Sequence, residues 1–434
     1  MQVYNKDKRD KEMKLRNIAY ALLIIATICL FTSCNKECKH KETAWIIDAE
    51  ATCVKDGVKH EECTKCHEKL MIKKIKPLGH ICNYLGICTR CGDEVPTQGL
   101  TYGLNREKNS YSVTGYSGTD TEVKIPSMYN GLFVTQIDSA AFSNCIDLTS
   151  ILIPNCVTSI GNSTFDGCTS LTNVYYRGTI EDWCNISFVS SKSNPMYYAN
   201  HFYMLDENKE FKEVTEIVIP ETITKTGDYQ FFGFNNVTNI IIPNSVTSIG
   251  DSAFYGCTSI KSITVPFVGN GSDKTRFECI FGNSVPASLK EVTITDCVDI
   301  GSSAFSGCTN ITNITISDRV TKIGSDAFFG CKSLKNIFIP NNVKIIGYRA
   351  FSNCKSLTNV VIPNSVTSIE DLAFSECTSL TSILMPNSVT SLGSYVFYNS
   401  DNLTINCEAS VKLNEWNELW NYSNCKVVWG YKKN

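Results

Sequence analysis

The chain has 434 residues, of which 43% are hydrophobic and 19% charged, a balance that suits folded domains or one long repeat array and excludes a disordered chain. Its 40 Lys and Arg against 43 Asp and Glu leave a formal net charge of −3, which excludes the concentrated basic face that nucleic acid needs. The 22 cysteines form three groups, each needing its own explanation: Cys29 and Cys34, seven from Cys38 to Cys91, and thirteen in the later chain.

From Met13 the sequence reads MKLRNIAYALLIIATICLFTSC. Lys14 and Arg16 are followed by an apolar run from Ile18 to Phe31 and by Ser33 before Cys34, the charge order and ending of an export signal. The run of fourteen is short of the roughly 20 apolar residues that span a bilayer. Residues 1–33 are therefore expected to be a signal peptide, with Met13 an alternative start because Met1 to Glu12 are polar. Leu30-Phe31-Thr32-Ser33-Cys34 resembles the lipobox of bacterial lipoproteins, Phe31 being a looser fit. The resemblance implies cleavage before Cys34, acylation of its thiol, and export to an outer membrane or cell surface on a lipid anchor. The competing reading is an uncleaved anchor in which Cys34 is incidental.

Residues 34–99 form a Cys/His-rich module and linker holding Cys38, His40, Cys53, His60, Cys63, Cys66, His67, His80, Cys82, Cys88 and Cys91. Two CxxC pairs, Cys63/Cys66 and Cys88/Cys91, are separated by 21 residues, slightly beyond the usual zinc-ribbon spacing. Such a knuckle offers two thiolates to one ion, and Zn²⁺ favours that sulfur and nitrogen shell. So few apolar residues build little core, so either structural zinc or disulfides must hold the segment. Seven cysteines are odd in number, and full pairing would strand one. No other cofactor is called for. The segment is similar to small ATC…CTxCG…GH modules of bacterial surface proteins. That similarity implies a set of Cys53, Cys63, Cys66 and His80, with a truncated second copy at Cys88 and Cys91.

Residues 100–147 read as an N-terminal cap and first coil, 148–402 as a repeat array, and 403–434 as a C-terminal cap. Phe142, Phe165, Phe231, Phe254, Phe305, Phe328, Phe351, Phe374 and Phe397 share one repeat position, and six of their eight spacings are 23 residues. The motif is L-x-x-I-x-I-P-x-x-V-x-x-I-G-x-x-A-F-x-x-C, a period typical of leucine-rich solenoids. Ten strands are predicted, beginning at Leu148, Leu171, Val214, Val237, Ile260, Leu289, Ile311, Leu334, Leu357 and Leu380. In LTSILIP, Ile151 and Ile153 alternate with outward residues and Pro154 ends the strand. Val157 and Ile160 face inward on the opposite wall, Gly161 permits a tight corner, and Phe165 fills the interior. Cys145, Cys168, Cys257, Cys308, Cys331, Cys354 and Cys377 form one column, expected as buried thiols acting as small hydrophobes. Two coils are enlarged, one between Leu171 and Val214 and one between Ile260 and Leu289.

The IPNSVTSIGDSAFYGCTSI repeats, the caps and the GTIEDWCNIS coil resemble BspA-like leucine-rich repeat surface proteins of bacteria over residues 100–434. The resemblance implies a right-handed solenoid with a parallel β-sheet, surface display, and adhesion to host matrix or cell-surface proteins. No nucleophile elbow, phosphate loop or separate carboxylate pair interrupts the repeats, so no enzyme activity is expected. One outward residue per strand gives the row Leu152, Tyr175, Val218, Ile241, Thr264, Thr293, Thr315, Phe338, Val361 and Leu384. Its apolar members, Leu152, Tyr175, Val218, Ile241, Phe338, Val361 and Leu384, are the candidate protein-binding residues, although β-propensity alone also favours them. The alternatives are glycan binding by Trp183, Tyr197, Tyr198 and Tyr203, or a self-associating surface layer.

Overall fold

A computed structural model describes residues 39–53, 55–78, 81, 87–91, 94–272, 275–282 and 284–432; the expected export signal, Cys34 and His80 lie outside them. The chain divides into two units, residues 1–93 and 94–434.

The first unit is an antiparallel meander of β1 (Thr43–Ala49), β2 (Gly57–Cys63) and β3 (Lys69–Ile75). β1 is exposed along its whole length and β3 is nearly so, with Trp45, Ile46, Leu70 and Ile72 all facing solvent. The buried side chains of its described residues are Cys53, Cys63, Cys88 and His60. This sheet has almost no hydrocarbon to hold it.

The second unit is a solenoid in which each coil runs along one wall, turns, and returns along another. On the principal wall, Glu122–Lys124, Ser150–Ile153, Asn173–Tyr176 and His201–Leu205 pair in parallel, and the antiparallel strand Phe211–Glu213 closes this five-stranded sheet. A ten-stranded parallel sheet then runs from Glu216–Val218 to Lys426–Trp429. On the return wall, two-residue strands such as Lys322–Ile323, Ile345–Ile346 and Ser368–Ile369 pair coil to coil. Ile217, Ile240, Ile263, Val292, Ile314, Ile337, Val360 and Ile383 stand in register along the inner side of the ten-stranded sheet and are all buried.

The phenylalanine column fills the interior as the repeat predicts. Ring centroids are 5.5 Å apart for Phe305–Phe328 and 5.1 Å for both Phe328–Phe351 and Phe351–Phe374, with planes 6° to 8° apart. Each enlarged coil replaces the missing layer with its own rings. In the first, Trp183 packs on Phe202 at 4.6 Å and on Phe234 at 6.0 Å. In the second, Phe277 packs on Phe305 at 4.9 Å.

Three features depart from the sequence reading. His201–Leu205 is a solenoid strand that the repeat motif does not reveal, because HFYML lacks the terminal proline and leads into a hairpin. The two sheets are separate at that hairpin, and the Asn236 side chain bridges the seam, donating to the Asn200 carbonyl at 3.1 Å and lying 3.0 Å from His201 Nδ1. Thr404–Cys407 and Lys426–Trp429 continue the ladder through the segment read as a cap. The second unit begins at Glu94, whose carboxylate pairs with Arg177 and accepts from the Ser127 backbone N–H at 2.6 Å.

Gly161 does not serve a left-handed corner. A Cβ there would lie 2.3 Å from the Ser139 nitrogen of the preceding coil, so the glycine permits close stacking of backbones. The left-handed positions lie two residues before and two after each column phenylalanine, at Asp326 and Gly330 around Phe328 and at Leu372 and Glu376 around Phe374. A left-handed residue with a Cβ costs roughly 1–2 kcal/mol, partly offset by the extra unfolded-state freedom of glycine. Glu376→Gly is therefore expected to stabilise the array by about 1 kcal/mol. Gly330→Ala is expected to destabilise it by a similar amount, since a Cβ there meets nothing within 4 Å and only the backbone resists. Urea unfolding of the two variants beside the parent checks both signs.

Candidate functional site

The candidate partner-binding residues divide between the two sheets. In the ten-stranded sheet, Val218 pairs with Ile241, and Phe338 pairs with Val361, which pairs with Leu384. Thr264, Thr293 and Thr315 separate the two groups in the same row. Phe338 is 58% exposed and Val361 47%, high values for large apolar side chains in the middle of a sheet, and Val218 on the edge strand is 49% exposed. Polar residues stand beside the row, where Ser262 donates to Asn239 at 2.8 Å, and Asn406, which follows Leu384 in the row itself, donates to Ser382 at 3.0 Å. This side of the sheet carries two apolar groups, separated by threonines and flanked by polar residues.

In the five-stranded sheet the expectation fails for Leu152. It is only 3% exposed, flanked in register by the long side chains of Lys124 and Tyr175, and offers no surface. Tyr175 is half-buried in an aromatic cluster, stacked on Tyr203 at 4.9 Å with Phe211 edge-on at 5.0 Å.

The four aromatics proposed as a sugar platform do not form one. Trp183 is fully buried and donates its indole N–H to the Gln230 carbonyl at 2.8 Å. Its helix, Ile180–Cys184, starts with a capping box between Thr179 and Asp182, which explains the GTIEDWC stretch as a core plug. Tyr203 belongs to the sheet cluster, whereas Tyr197 stacks on Phe232 at 5.5 Å, which in turn stacks on Tyr255 at 5.1 Å.

The cysteine column does more than pack. Cys168, Cys257, Cys331, Cys354 and Cys377 donate S–H to the carbonyls of Phe142, Phe231, Phe305, Phe328 and Phe351 at 3.1–3.2 Å, each tying its coil to the one before. Ser400 takes the same place and donates to Phe374 at 3.1 Å. That single Cys-to-Ser exchange was the sequence signal for a donor. Burial pushes the Cys257 thiol up to about 12 and holds Cys331, Cys354 and Cys377 well above the ordinary thiol value. Such thiols are poor nucleophiles.

In the first unit the five described candidate metal ligands do not gather at one point. Cys63 and Cys66 lie with His40, and Cys53 lies with Cys88 and Cys91; within each group the ligating atoms are all within 4.8 Å of one another. The two CxxC pairs thus belong to different clusters, and His40 joins a set from which the sequence reading omitted it. His80 lies outside the described residues. His60 is buried with both ring nitrogens engaged, Nδ1 at 2.7 Å from Asp48 and Nε2 at 3.1 Å from Glu62.

A family model described as "BspA type Leucine rich repeat region (6 copies)" matches residues 119–213, 207–299 and 298–425. Similar solved structures include a leucine-rich repeat protein from Bacteroides ovatus, 22% identical, covering 78% of this chain and 100% of that one, with a TM-score of 0.40. Another is a leucine-rich cell surface protein from Faecalibacterium prausnitzii, 24% identical, covering 74% and 96% of the respective chains, with a TM-score of 0.29. A Treponema pallidum leucine-rich repeat protein is 19% identical over 66% of this chain and 91% of that chain, with a TM-score of 0.22. No curated protein matches.

The thiol ladder has two measurable consequences. Alkylation with iodoacetamide at pH 8, read peptide by peptide, is expected to leave Cys331, Cys354 and Cys377 unmodified until the chain is denatured. Cys354→Val should cost about 0.5–1.5 kcal/mol by removing the second donor to the Phe328 carbonyl, which keeps its bond from the Cys331 backbone N–H, while Cys354→Ser, which keeps a donor, should cost less.

Proposed function

Because the chain belongs to the BspA-type leucine-rich repeat family, we propose that its solenoid is a non-catalytic protein-binding array acting in adhesion at a cell surface. The observation that carries this reading is the contiguous apolar row Phe338, Val361 and Leu384 on a parallel sheet, the first two exposed and Leu384 half-buried beside the hydrogen-bonded Ser382 and Asn406. A soluble protein seldom leaves large apolar residues in a row on a sheet face, and a polar margin around such a row is the anatomy of a protein interface. The threonines in the same row argue that exposure is tolerated without apolar side chains, so the apolar ones serve something other than strand formation.

The partner class that fits is a macromolecule with an extended face, a host matrix or cell-surface protein. Dispersal of the four candidate sugar-stacking aromatics among core, sheet and turn side favours a protein ligand over a glycan. Display would follow if residues 1–33 act as the expected export signal, since acylation of the Cys34 thiol would then hold the array at the membrane surface, where an adhesin must stand.

The decisive variant uses the row's own alternative residue. Phe338→Thr with Val361→Thr places residues of high strand propensity at both positions, so the melting temperature should stay within a few degrees of the parent. Binding to immobilised matrix and host cell-surface proteins should fall at least tenfold for every protein that the parent captures. Unchanged capture by a folded double variant removes the stripe as the interface.

A further inference from the structure

We infer that the first unit carries two separate zinc centres, one at each end of its three-stranded sheet, rather than one ribbon site shared by the two CxxC pairs. His40 stands just before β1, and Cys63 and Cys66 form the turn from β2 to β3, so all three meet at one end of the sheet. Cys53 lies in the connection from β1 to β2, at the other end, and there it meets Cys88 and Cys91.

Donor chemistry and spacing both suit zinc. The first shell would be two thiolates and an imidazole, and the second three thiolates, soft and borderline donors that select Zn²⁺ over oxygen-preferring ions. Two donors on one tetrahedral zinc, each about 2.1–2.3 Å from the metal, stand roughly 3.5–3.8 Å apart. Cys53 Sγ to Cys88 Sγ is 3.6 Å, and Cys66 Sγ to His40 Nδ1 is also 3.6 Å. His40 presents Nδ1 to the thiols while its Nε2 faces a Glu68 carboxylate oxygen at 3.4 Å. A carboxylate on the far nitrogen is how zinc-bound histidines are oriented and made more basic. The other histidines described in this unit are placed differently: His60 is bonded on both nitrogens and His67 Nδ1 lies 2.6 Å from Glu62.

The packing supplies the need. With β1 and most of β3 facing solvent and thiols taking the buried places, cross-links at both ends of the sheet replace the missing core. On binding, each thiol gives up its proton and the sulfur lone pair goes to the metal; no redox partner is needed.

Metal content and native mass of the full chain test the proposal. Two zinc ions per chain are expected in the parent, one in Cys66→Ser, one in Cys91→Ser, and none in the double variant. Glu68→Gln should release one of the two ions to a competing chelator at 10–100-fold weaker affinity and leave the other unchanged. A parent chain with one zinc or none, a mass lower by paired hydrogens from disulfides, or a single substitution that empties both positions would overturn it. The count in the parent stands even if a variant fails to fold.

Discussion

A 23-residue coil buries its aliphatic residues only against the coils above and below it. The array therefore depends on one constraint, that successive coils present the same groups at the same height. Backbone ladders on two walls, stacked phenylalanine rings about one coil apart, and S–H donors reaching back to the previous phenylalanine carbonyl all meet this condition together. Where the spacing changes, the layer is refilled rather than left open. Trp183 and Phe202 occupy the first enlarged coil, and Phe277 and Phe281 the second.

The same dependence explains what was legible in the sequence. Positions that must match from layer to layer recur at a fixed interval, so the inner isoleucines, the phenylalanines and the cysteines could be read directly. Features made by a single coil left no periodic trace. His201–Leu205 is a strand without the motif, and Leu152 occupies an outward position yet is covered. Trp183, which in sequence belongs to an aromatic-rich stretch, turns inward because its short helix caps on Thr179 and aims the indole at Gln230. The glycine column was visible but its cause was not. Close approach of neighbouring backbones and a left-handed turn both select glycine, and only coordinates separate them.

In the first unit the limit was different. The spacing of the two CxxC pairs suggested one site, but the seven-residue strands β2 and β3 each carry the chain from one end of the sheet to the other. Cysteines near in sequence thus part company, and His40 meets a knuckle more than twenty positions away. Candidate ligands were legible; their grouping depended on strand pairing.

From Phe305 to Phe397 the solenoid consists of like layers whose contacts are repeated rather than unique. Duplicating or excising one such layer creates no junction that is not already present, so the gene can lengthen or shorten this protein by whole coils without inventing a new contact. Each added coil would extend the stack by about 4.8 Å. A molecule of this design carries its reach as a variable, adjustable by recombination between its own repeats while the surface chemistry stays the same.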